Sequence, residues 1–145
     1  MHLDIMDAHF VPNLSFGPDV VALANRIAPG FYRNVHLMMT RPALYIEAFA
    51  KAGAQTIQIH VEADCDIHAQ LRRIRGMGLR NAVAINPETP AERIFPYLGE
   101  VDEVLVMTVH PGYGGQKFIE DCLPKVAGLR RLKPSLDIMV DGGIN

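Results

Sequence analysis

Six short apolar runs recur along the chain, each followed by a stretch with helical spacing. Their ends fall about 22–33 residues apart, the period of single strand–helix units. Nothing else in the sequence limits the fold so sharply, because strand–helix–strand, repeated, means parallel strands joined by right-handed crossovers. The predicted strands are Met1–Met6, Asn34–Met38, Thr56–His60, Asn81–Ile85, Glu103–Met107 and Leu136–Val140. Runs such as "AVAI" and "VLVM" are apolar without alternation, as in strands covered on both faces. The predicted helices are Pro18–Ile27, Pro42–Ala52, Asp66–Met77, Pro90–Leu98 and Ile119–Leu132. "TPAE", Thr89–Glu92, reads as a capping box with Pro90 in the first helical turn, and Thr40 as the cap of the helix beginning "RPALY". Gly53 and Gly78 stand where a helix end takes a left-handed residue.

Two architectures fit, an open doubly wound sheet and a (β/α)8 barrel. The polar residues favour the barrel. His2, Asp4, His36, His60, Asn86, His110 and Asp141 are expected at or just after the C-terminal ends of several different strands, the rim where barrels carry their sites. An open sheet concentrates its site at one switch point, and no G-x-G-x-x-G follows the first strand. A barrel takes roughly 200 residues or more. The expectation is therefore an α/β, TIM-type (β/α)8 barrel truncated to about six strands. Residues 1–145 would form one incomplete domain, lacking the first βα unit and the C-terminal closing units.

His2 and Asp4 lie two apart on a strand, so they share a face. With His36 in "VHLMM" and Asp141 in "VDGG" they bring two imidazoles and two carboxylates toward one mouth, a donor set suited to a divalent metal. Each residue alone would pass for a structural histidine or a turn aspartate. The Gly-rich stretch "HPGYGGQKF", His110–Phe118, leaves backbone N–H groups open to an anion or forms a mobile lid. Gly142 and Gly143 make a second such loop. "HVEADCDIH", His60–His68, is rich in ligand types but spans a strand end, a loop and a helix start. Its plainer reading is Asp64 or Asp66 as helix cap, His68 on the helix and His60 at the pocket rim.

Composition excludes several partners. The net charge of −2 offers no basic field for nucleic acid or anionic lipid, and no apolar run approaches the length of a membrane span. Cys65 and Cys122 form no C-x-x-C pair, which suggests reduced thiols and a cytoplasmic location.

"HLDIMDAHFVPN", "VHLMM", "NPETP", "MTVHPGYGGQKFI" and "VDGGIN" together resemble the ribulose-phosphate 3-epimerase family, in that family's order and along the whole chain. A related group, the allulose-6-phosphate 3-epimerases, shares most of these stretches. The resemblance implies a metal-dependent isomerase of the pentose phosphate pathway that inverts C3 of a ketose phosphate, D-ribulose 5-phosphate to D-xylulose 5-phosphate. It implies one divalent ion (Zn2+, Fe2+, Mn2+ or Co2+) on His2, Asp4, His36 and Asp141, with Asp4 and Asp141 as the proton carriers. It further implies substrate contacts from His36, Gly112, Tyr113, Gly114, Gly115, Gly142 and Gly143. Met6, Met38 and Met107 would ring the reacting carbons, or serve simply as barrel core. A homo-oligomer is expected. Ala8 departs from the family, which carries glycine there, and a left-handed backbone at Ala8 would be strained.

Two other classes remain open at this stage. A phosphate-binding barrel with aldolase or decarboxylase chemistry would want a lysine on a strand, whereas Lys51, Lys117, Lys125 and Lys133 fall in predicted helices or a loop. A catalytically impaired fragment, stable only on pairing with another chain, is the third reading.

Overall fold

A computed structural model describes residues 1–144. Six strands form one parallel sheet in sequence order: β1 (His2–Met6), β2 (Asn34–Met38), β3 (Thr56–His60), β4 (Arg80–Ile85), β5 (Glu103–Met107) and β6 (Asp137–Asp141). Four α-helices alternate with them: α1 (Pro18–Ile27), α2 (Ile46–Ala52), α3 (Ile67–Gly76) and α4 (Leu123–Leu132).

The sheet is curled. Five strand spacings separate β1 from β6, which in a flat sheet would be roughly 24 Å. Yet His2 Nε2 on β1 lies 3.8 Å from Asp141 Oδ2 on β6. Gln58 on β3 likewise reaches Met139 on β6, at 3.6 Å. The fold is thus an incomplete (β/α) barrel of the TIM type, as the strand–helix period predicts.

Alternation along each strand divides the side chains between two environments. Leu3, Ile5, Val35, Leu37, Ile57, Ile59, Val83, Ile85, Val104 and Val106 face outward and form the main core with Phe49, Leu71, Ile74 and Leu129 from the helices. The inward set is different in kind. It holds a small apolar cluster of Ala84, Leu105, Met107 and Val109, with His2, Asp4, His36 and His60 on the facing strands. One face of the sheet stabilises the fold, and the other carries the chemistry.

Three predicted helices form differently, each for a backbone reason. Pro90–Leu98 is two 3-10 turns, Ala91–Arg93 and Phe95–Tyr97, because Pro96 has no N–H to continue an α-helix and its ring crowds the preceding turn. The capping box does not form: Pro90 itself is the cap residue, extended at φ −68° and ψ 146°, with Thr89 one position outside. Pro42–Ala52 divides into a 3-10 turn, Pro42–Leu44, and α2, with Arg41 rather than Thr40 at the start. The Thr40 N–H is instead donated to Asp7 Oδ2, at 2.8 Å. Ile119–Leu132 begins as a 3-10 turn, Glu120–Cys122, and becomes α4 around Pro124, which sits in the first turn where its missing donor costs nothing.

Other local punctuation forms as expected. Asp66 caps α3 by accepting from the Ala69 N–H at 2.9 Å, and Gly53 closes α2 at φ 105°. Lys125 carries no such signal in the sequence. Its ammonium donates to the carbonyls of Asn86 at 3.0 Å, Thr89 at 2.6 Å and Pro87, pinning the "NPETP" loop.

Ala8 is the only non-glycine residue with positive φ among those described, at 61°. An L-residue pays about 1 kcal/mol there that glycine does not. Ala8 is also exposed, so no packing offsets the strain. Ala8→Gly is expected to raise the free energy of unfolding by about 1 kcal/mol, measured by urea titration. A loss of stability would show that the turn tolerates its Cβ.

Candidate active site

His2 opens β1, Asp4 is its centre, and His36 is the centre of β2; only His60 and Asp141 end their strands. The expectation that His2, Asp4 and His36 stand at strand ends is thus corrected. The chain pairs β1 with β2 through Met6 and Met38, beyond these residues, so they sit within the curl rather than on its lip.

There the four predicted ligands converge. His2, Asp4, His36 and Asp141 each place one nitrogen or oxygen within 4.8 Å of all the others. Asp4 Oδ1 lies 2.9 Å from His36 Nδ1 and 3.2 Å from His2 Nε2. The second contact lacks hydrogen-bond geometry, leaving both His2 ring nitrogens buried without a partner. Buried polar atoms of a native protein are nearly always satisfied. An orphaned imidazole nitrogen aimed between two carboxylates is what a cation site requires, so this donor set fits a divalent metal.

Electrostatics separate the two carboxylates. Burial would raise Asp4, but the imidazoles of His2 and His36 beside it outweigh burial and hold it well below the usual range. Asp141 is raised, by burial and then by the charge of Asp4. Asp4 is therefore held ionised more firmly than Asp141. For His2, burial is overcome by Asp4 and Asp141, and its pKa rises.

His36 is pushed down to about 4, first by burial, with His60 adding to it and Asp4 opposing. Below its ordinary 6.5 the unfolded chain takes a proton that the folded chain refuses. In chelating buffer, stability is expected to fall from pH 6.5 toward pH 4, by up to roughly 3 kcal/mol from His36. His2 runs the other way, its contribution being lost as pH rises above 6.5. Urea unfolding at several pH values checks this, and a flat profile over pH 4–6.5 would contradict it.

The neighbouring cleft gathers most of the remaining predicted residues. Asp4 and Asp141 form part of its wall together with Met6, Met38 and Met107. Gly112, Tyr113, Gly114 and Gly115 close it on one side, and Gly142 and Gly143 on another. His36 does not line it, being wholly buried beneath. The glycines at 142 and 143 have positive φ, 110° and 72°, and a Cβ on Gly143 would stand 2.5 Å from the Phe118 nitrogen. Only glycine lets these two loops approach so closely.

Several positioning contacts carry no sequence signal beyond ordinary polarity. Asn13 Nδ2 donates to the Gly112 carbonyl at 2.7 Å, and the Tyr113 hydroxyl donates to the Pro12 carbonyl at 2.8 Å, so the Gly-rich loop is stapled to the β1–α1 loop. The Thr108 hydroxyl shares its one hydrogen between the carbonyls of Asp141 and Gly142, at 2.9 and 2.7 Å, and fixes the turn after β6. Asp7 stays outside the cluster. Its Oδ1 accepts from the N–H groups of His9 and Phe10 and shapes the loop instead. His60 is not at the pocket rim but fully buried, with Phe10 packed on its ring at 4.6 Å.

The structure is a half-closed parallel barrel of the TIM type with a candidate metal cluster of two histidines and two aspartates beside glycine-rich loops. The model of the ribulose-phosphate 3-epimerase family matches residues 1–145, and the chain belongs to that family. It is 45% identical to the cytoplasmic isoform of ribulose-phosphate 3-epimerase from Oryza sativa subsp. japonica, over 99% of this chain and 64% of that protein. It is 49% identical to ribulose-phosphate 3-epimerase from Rhodobacter capsulatus, over 100% of this chain and 64% of the relative. For the Bacillus subtilis (strain 168) enzyme the figures are 44%, 100% and 69%. The chain therefore spans about two thirds of the length of these relatives.

Proposed function

We propose that this chain carries the catalytic centre of an isomerase that inverts C3 of a ketose phosphate, interconverting D-ribulose 5-phosphate and D-xylulose 5-phosphate in the pentose phosphate pathway. The observation that carries this reading is the placement of Asp4 and Asp141. They come from opposite ends of the sheet, flank one cleft, and are pushed toward opposite protonation states.

Inversion at a carbon next to a carbonyl needs a base on one face and an acid on the other. Asp4, held ionised, takes the C3 proton. The carbon becomes planar as charge moves to oxygen, and Asp141 returns a proton to the opposite face. Met6, Met38 and Met107 exclude water from the planar carbon. Backbone N–H groups of Gly112–Gly115 and Gly142–Gly143, with Tyr113 beside them, receive the phosphate. A divalent ion on His2, Asp4, His36 and Asp141 would act as a Lewis acid toward the developing negative charge. Mixed imidazole and carboxylate donors suit Zn2+, Fe2+, Mn2+ or Co2+.

We further propose that residues 1–145 are the central segment of a complete barrel. β1 and β6 pair on one side only among the described residues, and the relatives are half as long again. No helix among the described residues is long and apolar enough to cross a membrane, and the rice relative's name supports a cytoplasmic setting. Unpaired edges also favour self-association.

The test is an epimerase assay with D-ribulose 5-phosphate and D-allulose 6-phosphate side by side, on this chain alone and joined to the flanking units of a relative. Turnover of the ribulose sugar, rising on completion of the barrel, is expected. Turnover of the allulose sugar alone would overturn the substrate assignment.

A further inference from the structure

Two side chains outside the four-residue cluster are wired to it. His36 Nε2 lies 2.8 Å from His60 Nε2, and His60 Nδ1 lies 3.0 Å from Glu62 Oε2. The other Glu62 oxygen accepts the Asn86 N–H at 2.9 Å. Both rings are fully buried, so they have no water to turn to.

The chain has a carboxylate at each end, Glu62 and Asp4, and two neutral imidazoles carry only two hydrogens for its three gaps, so one end is left bare. A cation can fill the Asp4 gap, where His2 and Asp141 also converge, whereas the described residues gather no such donor set at Glu62. The polarity of the metal-loaded chain follows. An ionised carboxylate only accepts, so His60 Nδ1 carries a hydrogen and donates it to Glu62. A neutral imidazole has one N–H, which makes His60 Nε2 an acceptor. The nitrogen facing it, His36 Nε2, must then be the donor. His36 Nδ1 is left as a bare lone pair, 2.9 Å from Asp4 Oδ1. A lone pair facing a carboxylate oxygen at that distance is repulsive without a cation between them.

We propose that Glu62 and His60 are positioning residues that fix the His36 tautomer, presenting Nδ1 unprotonated to a metal ion shared with Asp4. This rests on the metal reading above, which decides that the bare end is the one at Asp4 and not the one at Glu62. Neither residue touches the cleft. Their effect passes through His36, as outer partners commonly orient metal-binding imidazoles. The stretch "HVEADCDIH" thus contributes not a second metal site but the carboxylate and ring that set the first.

The test uses the full chain labelled with 15N-histidine. Ring 15N–1H correlation spectra are recorded in chelator and after zinc addition, beside Glu62→Gln. Glutamine keeps the shape but offers one acceptor and one donor. If its acceptor stays on Asn86, its amide donates to His60 Nδ1 and reverses the chain. The zinc-loaded wild type is expected to show His36 protonated at Nε2 and His60 at Nδ1. Glu62→Gln is expected to show the opposite pair in chelator and to weaken zinc binding about tenfold or more. Zinc uptake with His60 protonated at Nε2, or at both nitrogens, would overturn the assignment alone. So would unchanged zinc affinity in Glu62→Gln. A chain that takes up no zinc would overturn the metal reading, and the assignment with it.

Discussion

Asp4→Asn and Asp141→Asn are each expected to lower epimerase turnover by about a thousandfold or more. A positioned acid or base alone contributes about 10²–10⁴-fold. Each aspartate also lies in the cluster suited to a cation, so the amide would weaken the hold on a metal ion there as well. The two losses should not multiply in the double variant, because inversion fails once either face lacks its proton carrier. Steady-state assay of both single variants and the double checks this. Near-full activity in either single variant would remove it from the proton-transfer scheme.

The second large effect concerns metal affinity. His2→Ala and His36→Ala are each expected to weaken zinc binding by about a hundredfold or more, since even partners that merely orient a ligand are worth about 10–100-fold. The consequence appears in stability. With free zinc at about a thousand times the wild-type dissociation constant, binding adds about 4 kcal/mol to folding, and a hundredfold weaker site adds about 1.4. Zinc should therefore raise the melting temperature of the wild type far more than that of either variant. His2→Ala is the more informative of the two. It removes a ring whose nitrogens have no other partner, so little else is lost. Equal zinc content in all three proteins would place the site elsewhere, and His60–His68 would be the first place to look.

The fold was legible because the βα period needs only apolar spacing, and spacing survives in a single sequence. The convergence of the four-residue cluster was legible for a related reason. Residues two apart on a strand must share a face, so His2 and Asp4 define one side of β1 before any packing is known. What remained hidden depends on distance across the sheet. Nothing local to Glu62 or His60 says that a buried imidazole from β2 will meet them, and His60 reads as a rim residue until the curl places Phe10 over it. Lys125 and Thr108 are hidden in the same way, because their partners are backbone carbonyls of distant segments. The helix at Pro90–Leu98 failed where a local rule, the capping box, met a stronger one, the proline at 96.

The central claim is that Asp4 and Asp141 work on opposite faces of one carbon, and isotope exchange reads this directly. Each single variant is incubated in deuterium oxide with D-ribulose 5-phosphate and, separately, with D-xylulose 5-phosphate, and C3 is followed by proton NMR. With Asp4 alone intact, deuterium should enter C3 of one epimer without conversion to the other. With Asp141 alone intact, it should enter only the other epimer. Exchange into the same epimer by both variants, or continued interconversion by either, would contradict the two-face assignment.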